Sequence, residues 1–137
     1  GEDVLCTYTI AGLPKAGPWR ARNGRGSVVC DGQTIFSIAP STERGRIAVR
    51  RGGKRLVGRG IAPDSGRPIR LDQDPDEPRR YVGKFRSRVQ GVDARFTFTV
   101  DAVSARRMQG DMKASVRIQG RRCTVTRPLT LTYAGSD

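Results

Sequence analysis

Apolar and polar residues alternate with a period of two along most of this chain, the spacing that turns one side of a β-strand to a core and the other to water. Over 4–10, Val4, Cys6, Tyr8 and Ile10 alternate with Leu5, Thr7 and Thr9, which predicts a first strand. The alternation then gives way to Gly, Pro and Arg over 11–26. That stretch reads as a long loop closing on Asn23-Gly24, a turn signal. Strands over 27–30 and 33–38 flank Asp31-Gly32, and two further runs, 46–51 and 54–61, meet at Gly52-Gly53. Both pairs suit a two-residue hairpin turn, whose central residues need positive φ.

The second hairpin fixes a register. If Arg51 faces Lys54, then Arg50 lies opposite Arg55, Val49 opposite Leu56, Ala48 opposite Val57 and Arg46 opposite Arg59. Side chains alternate between faces, so Ile47, Val49 and Leu56 share one face while Arg46, Arg50, Arg55 and Arg59 share the other. Beyond it, 62–79 carries Pro63, Pro68, Pro75 and Pro78 among charged residues. That density of missing N–H donors predicts a loop insertion.

From residue 80 the pattern is a meander. Strands over 80–89 and 95–101 place Phe85 opposite Phe98 inside, with Lys84, Arg86, Arg88 and Arg95 outside. Gln-Gly pairs at 90–91, 109–110 and 119–120 mark turns between strands over 103–108, 112–118 and 123–133. No stretch has helical periodicity. The chain therefore reads as one all-β domain over 1–137, an antiparallel barrel or sandwich of about eight or nine short strands with no substantial helix.

Composition adds a strong charge to this outline. Basic residues number 26 against 13 acidic ones, a formal charge of +13, and 22 of the 26 are Arg. Such a surface attracts polyanions, and guanidinium groups bind phosphate and carboxylate bidentately. Histidine is absent, which removes the commonest general base and the commonest zinc ligand, and no Cys-x-x-Cys spacing replaces it. The expectation is a protein without catalytic residues, metal site or cofactor.

The acidic tract Asp72, Asp74, Asp76 and Glu77 lacks the glycine of an EF-type loop. It is instead the internal rival for the hairpin arginines.

Three cysteines, Cys6, Cys30 and Cys123, fall on inward positions. An odd count in an Arg-rich all-β chain that begins without Met suggests one disulfide and export to the periplasm or the exterior. Cys30–Cys123 is the preferred pairing and Cys6–Cys30 the next. No apolar run is long enough for a membrane span, though a basic face suits peripheral contact with anionic lipid.

The chemistry thus points to an exported, non-enzymatic binding protein. An anion-binding face of Arg46, Arg50, Arg55, Arg59, Arg86 and Arg88 would meet an anionic macromolecule, lipid headgroup or acidic protein surface. Trp19, with Arg20 and Arg22, is a candidate ligand-contact loop, although a lone Trp more often covers a sheet end. Nucleic acid fits the charge but not the aromatics, since Phe85, Phe96 and Phe98 are expected inside and base-stacking sheets need exposed rings. The alternatives are a lipocalin-like barrel carrying a small apolar ligand, with room at Gly58, Gly83, Ala105, Ala114 and Ser87, and a periplasmic inhibitor or assembly factor binding through its loops.

Overall fold

The alternation becomes a sheet that closes on itself. The computed structural model describes residues 13–61, 67–89 and 91–136. In chain order its strands are β1 (Gly17–Asn23), β2 (Gly26–Cys30), β3 (Gln33–Ile38), β4 (Ser41–Arg50), β5 (Arg55–Arg59), β6 (Ile69–Asp74), β7 (Glu77–Val89), β8 (Val92–Ser104), β9 (Arg107–Ile118) and β10 (Arg121–Tyr133). Their order across the antiparallel sheet is β1-β4-β5-β6-β7-β8-β9-β10-β2-β3, and β1 pairs again with β10. Eight strands therefore form a closed barrel, while β2 and β3 extend its wall.

β10 explains both features. Leu129–Tyr133 of this long strand pair with β1, and Cys123–Thr126 pair with β2. The two partners lie end to end along it, with a break after Asn23. Arg127 sits on the inward side at that break, 5% exposed. Its Nε donates to the Gly24 carbonyl at 3.0 Å and its Nη2 to the Ala39 carbonyl at 2.9 Å, so one guanidinium holds together the place where the chain leaves the barrel for β2 and the place where it returns from β3. Burial lowers its pKa, with Glu43 opposing the shift.

The barrel interior is filled by Trp19, Ile47, Leu56, Ile61, Leu71, Tyr81, Phe98, Val100, Met108, Leu129 and Leu131, each at most 2% exposed. Burying an aliphatic or aromatic side chain of this kind stabilises by about 1.5–3 kcal/mol. Their polar atoms have partners: Trp19 Nε1 donates to the Lys15 carbonyl at 2.7 Å and the Tyr81 hydroxyl to the Gly53 carbonyl at 2.6 Å. The glycines expected to leave internal room do not. Ile61 sits on Gly58, and Leu71 with the Arg70 carbonyl sits on Gly83.

Several expectations are corrected by the fold. The loop over 11–26 contains β1, with Trp19 and Ala21 inward and Arg20 and Arg22 outward. Asn23-Gly24 is the break between β1 and β2 rather than a hairpin turn. The Pro-rich segment contributes β6 and the start of β7. Pro68 precedes β6, Pro75 lies in the turn, and Pro78 falls in a register shift between Gln73 and Asp74. None of these three prolines takes a ladder donor from the middle of a strand.

Gln109-Gly110 lies within β9, because a side chain at Gly110 would run into the Thr99 carbonyl of β8. The turn is instead at Ala105-Arg106. Phe85 pairs with Phe96 rather than Phe98, a two-residue shift that leaves every side chain on its expected face. The expected strand over 4–10, with Cys6, lies outside the described residues.

Candidate anion-binding site

The register expected for 46–59 is the one observed: Arg46 faces Arg59, Ala48 faces Val57, Val49 faces Leu56 and Arg50 faces Arg55. The connection is wider than a two-residue turn, a 3-10 turn at Arg51–Gly53 in which Arg51, Gly52 and Gly53 all have positive φ. The Tyr81 hydroxyl fixes it from inside through Gly53.

The hairpin is one instance of a wider motif. Arg20 faces Arg44, Arg86 faces Arg95, and Arg117 faces Arg122. Counting Arg46–Arg59 and Arg50–Arg55, five cross-strand arginine pairs stand on the outside of the barrel among the described residues. Like charges directly opposite each other destabilise a strand pair by roughly 0.2–1 kcal/mol.

Salt bridges fix arginines at Arg55–Asp72, 2.7 Å, Arg80–Asp101, 2.9 Å, Arg88–Asp93, 3.2 Å, and Arg121–Asp31, 2.8 Å. Of the five opposed pairs, only Arg50–Arg55 has a carboxylate on one member among the described residues. The side-chain hydrogen bond and charge of Asp101 raise the pKa of Arg80, and that residue belongs to no opposed pair.

Two basic areas result. One runs over β1, β4 and β5, where the outward positions Arg20, Arg22, Arg44, Arg46, Arg50, Arg55 and Arg59 are interspersed with Thr42, Ala48 and Val57 and include no acid. The other is a groove of about 560 Å³ over β7 to β10, lined by Arg86, Arg95, Ser115, Arg117 and Arg122 and bounded by Gly91–Ala94. Three strand spacings of about 4.8 Å make its base roughly 14 Å wide. It presents four guanidiniums with no ion pair among the described residues, and Asp93 at its rim is held by Arg88.

The expected site residues are thus divided. Arg46, Arg50, Arg55 and Arg59 lie together on one area and Arg86 lies in the groove, while Arg55 and Arg88 are each engaged by an aspartate. Trp19 is 1% exposed in the core and makes an edge contact with Tyr133, ring centroids 5.7 Å apart. It is no ligand platform, although Arg20 and Arg22 beside it do point outward. Cys30 and Cys123 face each other across β2 and β10 and form a disulfide, Cα atoms 4.2 Å apart.

Sequence reasoning missed Arg44, Arg117 and Arg122. The last two were accessible, because a two-residue turn at Gln119-Gly120 puts Arg117 opposite Arg122. Arg44 was not, because it meets Arg20 only through the long-range pairing of β1 with β4.

No family model matches the chain, and no curated protein is similar to it. Among solved structures it resembles the monomer form of the M. tuberculosis PknI sensor domain, with 9% identity over 90% of each chain and a TM-score of 0.61. The likeness is one of fold. No helix of the described residues is long and apolar enough to cross a membrane.

Proposed function

We propose that this chain is an exported, non-enzymatic binding domain whose basic exterior holds an anionic macromolecule through phosphate, sulfate or carboxylate groups. The observation that supports it is the set of opposed arginine pairs. A barrel wall gains nothing in stability from placing guanidiniums directly opposite each other, whereas an anion lying between two of them receives charge-assisted, bidentate hydrogen bonds. The groove over β7 to β10 is the stronger candidate, since it gathers two such pairs in a concavity. The barrel interior is the weaker one, because Ile61 and Leu71 occupy the space that its glycines leave. The Cys30–Cys123 disulfide supports an oxidising location, and likeness in fold to a domain named as a sensor supports binding as the role.

The test is retention on immobilised heparin and on phosphatidylglycerol vesicles as salt is raised. Elution of the parent protein should require substantially more salt than that of Arg86→Ser/Arg95→Ser/Arg117→Ser/Arg122→Ser, since each lost contact lowers the dependence on log salt. Equal elution of the two proteins, with Arg46→Ser/Arg59→Ser also unchanged, would overturn the reading.

A further inference from the structure

We infer that β3 is a dimerisation strand that pairs antiparallel with β3 of a second copy of this chain. Among the described residues β3 is the last strand in the sheet order and is bonded to β2 alone. Its other edge carries no ladder pairing among the described residues. Soluble proteins protect such edges with charges, proline or inward-pointing ionic residues, yet β3, Gln-Thr-Ile-Phe-Ser-Ile, carries no charge. Ile35 and Phe36 are 50% and 53% exposed, two of the four large apolar residues so exposed among the described residues.

The choice of a second copy follows from charge and from register. On a chain of +13, most faces would bring arginines against arginines in a homodimer. β2 and β3 are the two described strands with no charged residue, so a β3–β3 seam is flanked on each side by an uncharged strand.

A two-fold axis through Phe36, where an antiparallel ladder can map onto itself, sets Phe36 opposite Phe36 of the other copy, Ile35 opposite Ser37 and Thr34 opposite Ile38. Continued outward, it brings Gln33 to Ala39 and Gly32 to Pro40. An aromatic pair at the centre is a favourable cross-strand contact, and no charge meets a like charge. An isologous contact of this kind closes as a dimer. Ile35 is the extra residue of a bulge against Val28 and Val29, which bends the edge and keeps the seam short. The dimer is accordingly a weak one, with a small interface.

Sedimentation velocity at low and millimolar protein concentration, in low and high salt, tests it. The dimer fraction should rise with concentration and also with salt, because screening relieves the repulsion between two strongly basic bodies. Polyanion retention should move the opposite way with salt, so loss of either behaviour leaves the other readable.

Ile35→Lys and Phe36→Lys should each weaken the dimer roughly tenfold or more while leaving the melting curve and heparin elution close to those of the parent. Val103→Lys, an equally exposed apolar position on β8, should leave the dimer intact. Slower amide exchange in β3 at high concentration should accompany dimerisation. A protein that stays monomeric at millimolar concentration in high salt, or a dimer that survives both lysine substitutions, would overturn the inference.

Discussion

On the β4–β5 hairpin, Arg50 and Arg55 face each other with Asp72 bonded to Arg55, whereas in the β7–β10 groove Arg86 and Arg95, and Arg117 and Arg122, face each other with no ion pair among the described residues. The two areas follow one construction rule, outward arginine against outward arginine, and differ in what the next strand delivers. β6 sets Asp72 opposite Arg55. β9 sets Ser115 opposite Arg95, and β10 sets Thr124 opposite Ser115. An opposed pair thus becomes part of an internal salt network or an open anion site according to the parity and register of its neighbour.

The largest effect available is on the groove's support. Arg122 adjoins Cys123, whose disulfide to Cys30 ties β10 to β2 and closes a loop of 93 residues. Cys30→Ser/Cys123→Ser should cost about 2–5 kcal/mol of unfolding free energy in urea. If the groove is the binding area, the same variant at subdenaturing conditions should lose polyanion retention that the hairpin cannot replace. Loss of stability with undiminished retention would shift the comparison toward β4–β5.

Next in size is the binding split itself. Removing exposed guanidinium contacts weakens an ionic complex by about 0.2–1 kcal/mol each. Arg86→Ser/Arg117→Ser should therefore reduce affinity for a heparin oligosaccharide several-fold, measured by titration calorimetry, with Arg46→Ser/Arg59→Ser having a smaller effect. The reverse ranking would make the hairpin the principal site. Both doubles should be slightly more stable than the parent, because opposed like charges are relieved.

Tyr81→Phe acts on the hairpin alone. Its hydroxyl satisfies the buried Gly53 carbonyl, so the substitution should cost about 1–2 kcal/mol. Burial raises the pKa of the Tyr81 phenol, meaning that folding favours the protonated form. The stability tied to that proton is full below the ordinary tyrosine value near 10 and is lost as pH rises through the higher folded value. Tyr81→Phe should flatten this alkaline decline in a pH series of thermal melts.

The contrast between the two areas also shows what was legible beforehand. The hairpin register could be read from Gly52-Gly53 and the alternation alone, because every contact in it is local. The disulfide partners were readable as inward cysteines, though 93 residues apart. β1 and β6 were not. Gly17, Pro18 and two arginines hid an alternation in which Trp19, Ala21 and Asn23 point inward, and four prolines hid a strand that they merely bracket. Without β6, Asp72 could be named as a rival for the hairpin arginines but not assigned to Arg55. The groove needed three hairpin registers at once: Arg117–Arg122 follows from a two-residue turn at Gln119-Gly120, whereas Arg86–Arg95 needed Val89 to face Val92 rather than the expected Ala94.

Asp72→Asn is the smallest change and the one that separates the two areas most cleanly. The Asp72 side chain is 57% exposed, and an ion pair so open to water is worth at most about 1 kcal/mol. Urea unfolding should therefore move little. The substitution frees Arg55 beside Arg50 and converts the one compensated arginine pair into the uncompensated kind. If opposed pairs bind anions wherever no acid answers them, the salt dependence of heparin elution should steepen by about one unit, even though the groove is untouched. If elution stays where it was while the groove variants shift it, exposure of a pair is not sufficient and concavity decides. The hairpin arginines then serve solubility, and the β7–β10 groove alone carries the binding.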